Sequence, residues 1–219
     1  MDFLSRALAD VMGRNICVEH STLLSTGVGA MSVVDVMARR HSIRAYSSEP
    51  VPLELIEKLM TAASLAPSAF NNQPWRYYIA TGESRRKLGE IMVQGTHFLE
   101  DYLHVIGHEM NEWVLKWYSE LGQAPVVIAC TLPVTDDELQ NLNGYLATGS
   151  SIQNMLLAAT EIGLGSCYLT FSYWVSDEIA KMLEVPEDRT IVALIALGYP
   201  EEDPVAPPRE VQSIAVYRD

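Results

Sequence analysis

Residues 66–75 read APSAFNNQPW, and residues 39–46 read RRHSIRAY. In the first stretch Pro67 and Pro74 limit the backbone, and Ser68, Asn71, Asn72 and Gln73 set neutral donors and acceptors between them. Asn, Ser and Pro are ordinary turn residues. A simple turn, however, does not need this length, paired amides and a closing tryptophan. The set suits a polar heteroaromatic ring or a polyol chain. In the second stretch Arg39, Arg40 and Arg44 fall together in a chain of formal net charge −13. Guanidinium forks match phosphate oxygens bidentately, and Ser42 adds a hydroxyl between Arg40 and Arg44. The competing explanation is that these cations complement a helix C-terminus.

Outward from these stretches the chain alternates helices and strands. Ser32 is a predicted N-cap with Asp35 three positions later, and Val33, Val34, Val36 and Met37 supply a helix face. A helix over 53–65 stops before Pro67. A strand is expected at 76–80 (RYYIA), a short charged helix at 83–93 and a long helix at 98–121. A buried strand follows at 126–130, then an apolar helix at 146–161 closed by Gly163 and Gly165. Cys167–Phe171 reads as a strand, 177–183 as a helix and 190–197 as an apolar strand. The tail carries Pro200, Pro204, Pro207 and Pro208 and is extended. No regular βαβ repeat is visible, so the class is α+β. Residues 1–12 read as an amphipathic helix and 13–30 as a connector. The expected division is an extension over 1–30 and one domain over 31–219.

The chain has 219 residues, 48% hydrophobic and 20% charged, the balance of a globular protein. Its acidity makes nucleic acid a poor partner. Cys17, Cys130 and Cys167 form no CxxC pair, which points to a reducing compartment. No signal peptide and no membrane span are expected, so the location is read as cytoplasmic.

Several features are decoys. Gly27–Ser32 approaches a dinucleotide fingerprint, but the third glycine is replaced and no convincing strand precedes it. His97, His104 and His108 lack the glutamate of a zinc-protease helix, and no metal site is expected. Cys167 has no histidine beside it in sequence and is not read as a nucleophile. Phe98, Tyr102, Ile106, Met110, Trp113 and Trp117 form one stripe at helical spacing, read first as core or dimer packing.

Four motifs, RRHSIRAY (39–46), APSAFNNQPW (66–75), QNMLLAATEIGLGSC (153–167) and LGYP (197–200) followed by Arg209, resemble the FMN-dependent nitroreductase family in content and order. The resemblance spans 32–209. It implies a mixed or antiparallel sheet flanked by helices, in an intertwined homodimer with two FMN sites at its interface. Arg40, Ser42 and Arg44, with His41, would hold the phosphate and the pyrimidine side of the flavin. Pro67, Ser68, Asn71 and Gln73 would reach it from the partner subunit, and Gln153 would join them. Backbone N–H groups near Leu169 and Thr170 would approach flavin N5. Arg209 matches a late phosphate-binding residue, whereas Pro207 stands where many relatives have a second basic one.

The implied reaction is NADH- or NADPH-dependent reduction of nitroaromatic, quinone or similar small acceptors. Hydride chemistry belongs to the flavin, so no catalytic side chain is expected. In relatives the segment holding the aromatic stripe covers the flavin, so Trp113, Trp117 and Phe171 are the substrate-wall candidates. The resemblance extends to reductive dehalogenases, flavin-cleaving enzymes and peptide dehydrogenases, and a flavin-binding protein without turnover is the alternative from another class.

Overall fold

The computed structural model describes residues 32–96, 108–205 and 214–218. Ten principal elements run α1 (Val33–Arg39), α2 (Leu53–Ser64), β1 (Arg76–Thr81), α3 (Gly82–Gly95), α4 (His108–Glu120), β2 (Val126–Pro133), α5 (Glu138–Glu161), β3 (Gly165–Leu169), α6 (Ser176–Met182) and β4 (Arg189–Gly198). The four strands lie in the order β1-β2-β4-β3, and every neighbouring pair is antiparallel.

The central strands explain themselves. From Val126 to Leu132 every residue of β2 is buried, because helices cover both faces of the sheet. A strand wrapped in this way reads as a continuous apolar run. One face holds Val127, Ala129, Leu194 and Ala196 against Leu88, Met92, Trp117 and Ile179 from α3, α4 and α6. The other holds Ile128, Cys130, Ala193 and Ile195 against Leu59, Ala63, Met155 and Ala159 from α2 and α5.

α1 begins where its cap predicts. Asp35 N–H donates to Ser32 Oγ at 3.2 Å, and Ser32 N–H donates to Asp35 Oδ2 at 3.1 Å, a complete capping box. That bonding holds the Asp35 carboxyl below its ordinary value. Of its expected face, only Val36 is buried; Val33, Val34 and Met37 are exposed.

Other expectations need correction. The helix expected from 146 starts at Glu138, where Asp137 caps it by accepting from Gln140 N–H at 3.0 Å. The strand expected at Cys167–Phe171 spans Gly165–Leu169, and Phe171–Val175 turns into a 3₁₀ helix. Within the described residues the long helix is His108–Glu120, followed by a tight turn at Leu121–Gln123. The expected helix over 1–12, the connector, the near-fingerprint glycines, and Phe98 to Ile106 lie outside the described residues. No helix among those described is long and apolar enough to cross a membrane.

Candidate functional site

The arginine segment runs along the edge of the sheet. After α1, Ser42 bridges Ser166 of β3 in parallel, and Ile43 N–H donates to Ser166 O at 3.0 Å. Gly165 permits this approach, since a Cβ there would lie 2.9 Å from Ile43 Cγ1. Further along, Tyr46 N–H donates to Gly122 O at 3.0 Å. Gly122 has φ +61°, and a Cβ on it would lie 2.2 Å from Arg44 O, so glycine is required twice over. The Tyr46 hydroxyl is buried and donates to Ile43 O at 2.5 Å, with Ala196 O at 3.2 Å as the other acceptor in reach. Burial raises its pKa well above the ordinary phenol value.

Arg40 is half-buried and Arg44 is exposed. Neither guanidinium pairs with a carboxylate among the described residues; Arg44 Nη1 donates only to Ser42 O, at 3.3 Å. Glu202 accepts from the Arg44 backbone N–H, not from its guanidinium. Both arginines lie within electrostatic reach of Cys167. Burial raises that thiol's pKa and the Arg44 charge opposes the rise. Leu169 is buried at the end of β3 and pairs with Leu194, so the Thr170 N–H lies just beyond the last ladder pair. Ser166 and Ser172, flanking this stretch in sequence, have buried hydroxyls without a hydrogen-bond partner among the described residues.

The second cluster lies on the other side of the sheet. α2 belongs to the layer opposite α3, α4 and α6, and the loop that follows it is anchored by Ala66 and Trp75 packing on Ala147 and Tyr77. Pro67, Asn71 and Gln73 are exposed and Ser68 is half-buried. Gln73 N–H donates to Ser68 Oγ at 2.9 Å, and Gln73 Nε2 donates to Asn71 Oδ1 at 3.1 Å. Phe70, Asn71 and Gln73 have φ of 53°, 55° and 45°. Left-handed backbone at ordinary residues costs about 1–3 kcal/mol each and persists where a fixed shape is used. Phe70 is 85% exposed at the tip, although its size would favour burial.

The remaining candidates separate. Gln153 is exposed on α5, on the same helical side as Leu142, Leu146 and Gly149. Trp113 and Trp117 stack with centroids 6.4 Å apart, and both line a cleft of about 250 Å³ with Arg44, Lys116, Glu120 and Glu201. Trp117 is mostly core, 8% exposed, whereas Trp113 is 50% exposed. Phe171 does not line this cleft; it packs on Tyr118 at 4.5 Å. His41 is half-buried beside Ser42. Arg209 lies outside the described residues. No cluster of potential metal ligands occurs among those described.

This architecture defines an α+β protein with Arg40 and Arg44 along one sheet edge and an amide-bearing loop following the helix of the opposite layer. The Nitroreductase family profile matches residues 37–199. A Methanothermobacter thermautotrophicus protein, provisionally named an NADH dehydrogenase/NAD(P)H nitroreductase, is 32% identical over 184 residues, covering 81% of this chain and 82% of its own. The nitrobenzene nitroreductase of Ectopseudomonas oleovorans is 25% identical over 197 residues, covering 75% and 85%. The solved structure of an FMN- and NADPH-dependent nitroreductase from sphigopyxis sp. strain HMH superposes with a TM-score of 0.72 at 19% identity, covering 86% of this chain and 99% of that one. The chain belongs to the nitroreductase family, and with it to the oxidoreductases.

Proposed function

We propose that the chain is an FMN-dependent oxidoreductase that takes hydride from NADH or NADPH and reduces nitroaromatic, quinone or similar flat acceptors. One observation carries this reading: Arg40 and Arg44, free of carboxylate partners among the described residues, stand on either side of Ser42, which bridges Ser166 near the start of β3, in an otherwise acidic chain. Their forks fit a terminal phosphate, and a cation beside a ring that becomes anionic on reduction stabilises the reduced form. Ser42 stands between them as a further donor. Among the described residues the buried hydroxyls of Ser166, which Ser42 bridges, and of Ser172, two positions past Thr170, have no partner and leave polar capacity on this stretch. When bound, FMN supplies the hydride chemistry itself. The protein binds it, orients it and leaves one face open for the two substrates in turn.

The working unit of this proposal is a homodimer. In one chain the amide loop and the arginine segment lie in opposite layers, so Pro67, Ser68, Asn71 and Gln73 would complete the site of the second copy. The outer face of α5 supports this: Leu139, Leu142, Tyr145 and Leu146 are all exposed, as are Val33, Val34 and Met37 of α1, a helix that packs against α5. Ile214, Val216 and Tyr217 are likewise exposed, and such apolar surface marks an association site. The free, buried Cys130 and Cys167 fit a reducing, cytoplasmic setting.

The test is direct. The purified protein should be yellow and release FMN on heating. Arg40→Ala and Arg44→Ala should each weaken FMN by about 1.5–3 kcal/mol, the scale of a charged hydrogen bond. Steady-state rates with NADH and a quinone should give parallel double-reciprocal lines, because both substrates would use one open face. Arginine variants that keep full FMN at dilute concentration would remove the phosphate assignment. Intersecting lines would remove the shared face.

A further inference from the structure

Arg189 opens β4, far in sequence from the amide loop, yet it closes that loop. Its Nη2 donates to Pro74 O at 2.6 Å and to Thr131 O at 3.0 Å. Its Nε donates to Thr131 Oγ1 at 2.9 Å, and that hydroxyl donates onward to Arg76 O at 3.3 Å. The guanidinium therefore reaches from β4 across β2 to Pro74, two residues before β1. A bulge makes the reach possible. Cys130 pairs with Ala193 but Thr131 pairs with Ile191, so Val192 is extra and β4 twists there. All the acceptors are carbonyl or hydroxyl oxygens. Burial and the neighbouring Arg76 charge lower the pKa of Arg189, with Tyr78 and Asp188 opposing, but a guanidinium stays charged regardless.

The loop's entry is held separately. Tyr77 OH lies 2.6 Å from Ser151 Oγ, which donates to Ala63 O at 2.7 Å. Between these two clamps lie the left-handed Phe70, Asn71 and Gln73. Pro74 has no N–H and a ring-limited φ, so a donor fixed on its carbonyl sets the Pro74–Trp75 peptide plane at the loop's exit. Strained backbone keeps its shape only where its surroundings over-determine it.

We propose that Arg189 is a positioning residue for the flavin site. It fixes the exit of the Pro67–Gln73 loop so that Ser68 and Asn71 are presented in one geometry to the flavin of the second subunit. The inference rests on the flavin reading above. The planar fork is essential, because a lysine ammonium cannot hold Pro74 O and Thr131 Oγ1 in one plane.

The test compares Arg189→Lys with Arg85→Lys. Arg85 is an equally carbonyl-bound guanidinium, donating to Ala124 O at 2.8 Å and to Glu120 O, remote from the loop. Two readouts are used: FMN affinity by fluorescence titration, and hydrogen exchange at the Gln73 amide. Arg189→Lys should weaken FMN about tenfold or more and speed Gln73 exchange, with a Tm close to that of Arg85→Lys. Arg85→Lys should leave FMN affinity unchanged. Wild-type FMN affinity and Gln73 exchange in Arg189→Lys would overturn the proposal, as would an equal FMN loss in Arg85→Lys. A wild-type protein that binds no FMN would sink the flavin reading instead, and Gln73 exchange would still report whether Arg189 shapes the loop.

Discussion

Trp117 Nε1 donates to the carbonyl of Arg44 at 2.7 Å. The bond ties the helix of the aromatic stripe to the arginine segment, at the same carbonyl that a Cβ on Gly122 would strike. The stripe's two described tryptophans therefore divide their work. Trp117→Phe should keep an aromatic ring but leave part of the indole's space empty and orphan the Arg44 carbonyl, costing about 1–3 kcal/mol in denaturant unfolding and loosening FMN. Trp113→Ala removes a half-exposed ring and should cost about 1 kcal/mol or less, while changing the order of preferred acceptors. Equal stability losses in the two variants, with an unchanged acceptor order, would return Trp113 to packing alone.

Burial sets the response to alkali. Tyr118 is pushed up to about 12, and Tyr46, Tyr77, Tyr168, Cys130 and Cys167 are all raised, in each case chiefly by desolvation. For an acid with a raised folded pKa, the unfolded chain loses its proton first. The stabilisation is complete below the ordinary thiol and phenol values and is lost as pH rises through the folded ones. Thermal melts should therefore hold steady to about pH 8.5 and fall steeply above it, toward and beyond the phenol range. Tyr118→Phe should flatten the upper part of that fall. A melting temperature flat to strongly alkaline pH would contradict the buried, neutral assignment.

What the sequence disclosed follows from how local each signal is. The Ser32–Asp35 cap was legible because both partners lie within one turn, and β2 and β4 because burial on both faces leaves an unbroken apolar run. The first half of α5 was not, because its pattern is inverted. Leu139, Leu142, Tyr145 and Leu146 point outward while Gly144, Ala147 and Thr148 are buried, and no partner among the described residues explains the outward leucines. The two motifs at 39–46 and 66–75 identified the candidate site, but the backbone of the second was hidden, since Phe70 and Gln73 are not residues that normally adopt left-handed φ. Arg189 left no trace in the pattern, because its partners are backbone oxygens and a hydroxyl 58 and 115 positions away.

Removing residues 1–30 should leave a yellow, folded protein with an unchanged quinone-reduction rate. The family match starts at residue 37, and α1 opens on a capping box formed between Ser32 and Asp35. Spectroscopy of the truncated protein and its thermal melt provide the check. A colourless or aggregated product would assign the extension a structural role.

The exposed face of α5 carries the last prediction. Leu142 and Leu146 are 55% and 63% exposed and lie one turn apart, on the helical side that also bears Gln153. If this side met only solvent, replacing both leucines with glutamate would be nearly neutral, as for most surface substitutions. If it is the seam of a two-fold dimer, each leucine contributes about 1.5–3 kcal/mol and is counted twice, once from each copy. The double variant should then dissociate at micromolar concentration. It should also lose FMN, although it retains Arg40 and Arg44, because Ser68 and Asn71 would no longer arrive from the second copy. Sedimentation velocity and flavin absorbance read the two effects on one sample. A variant that stays dimeric and yellow would place the seam elsewhere. A monomer that keeps its FMN would show that one chain completes its own site.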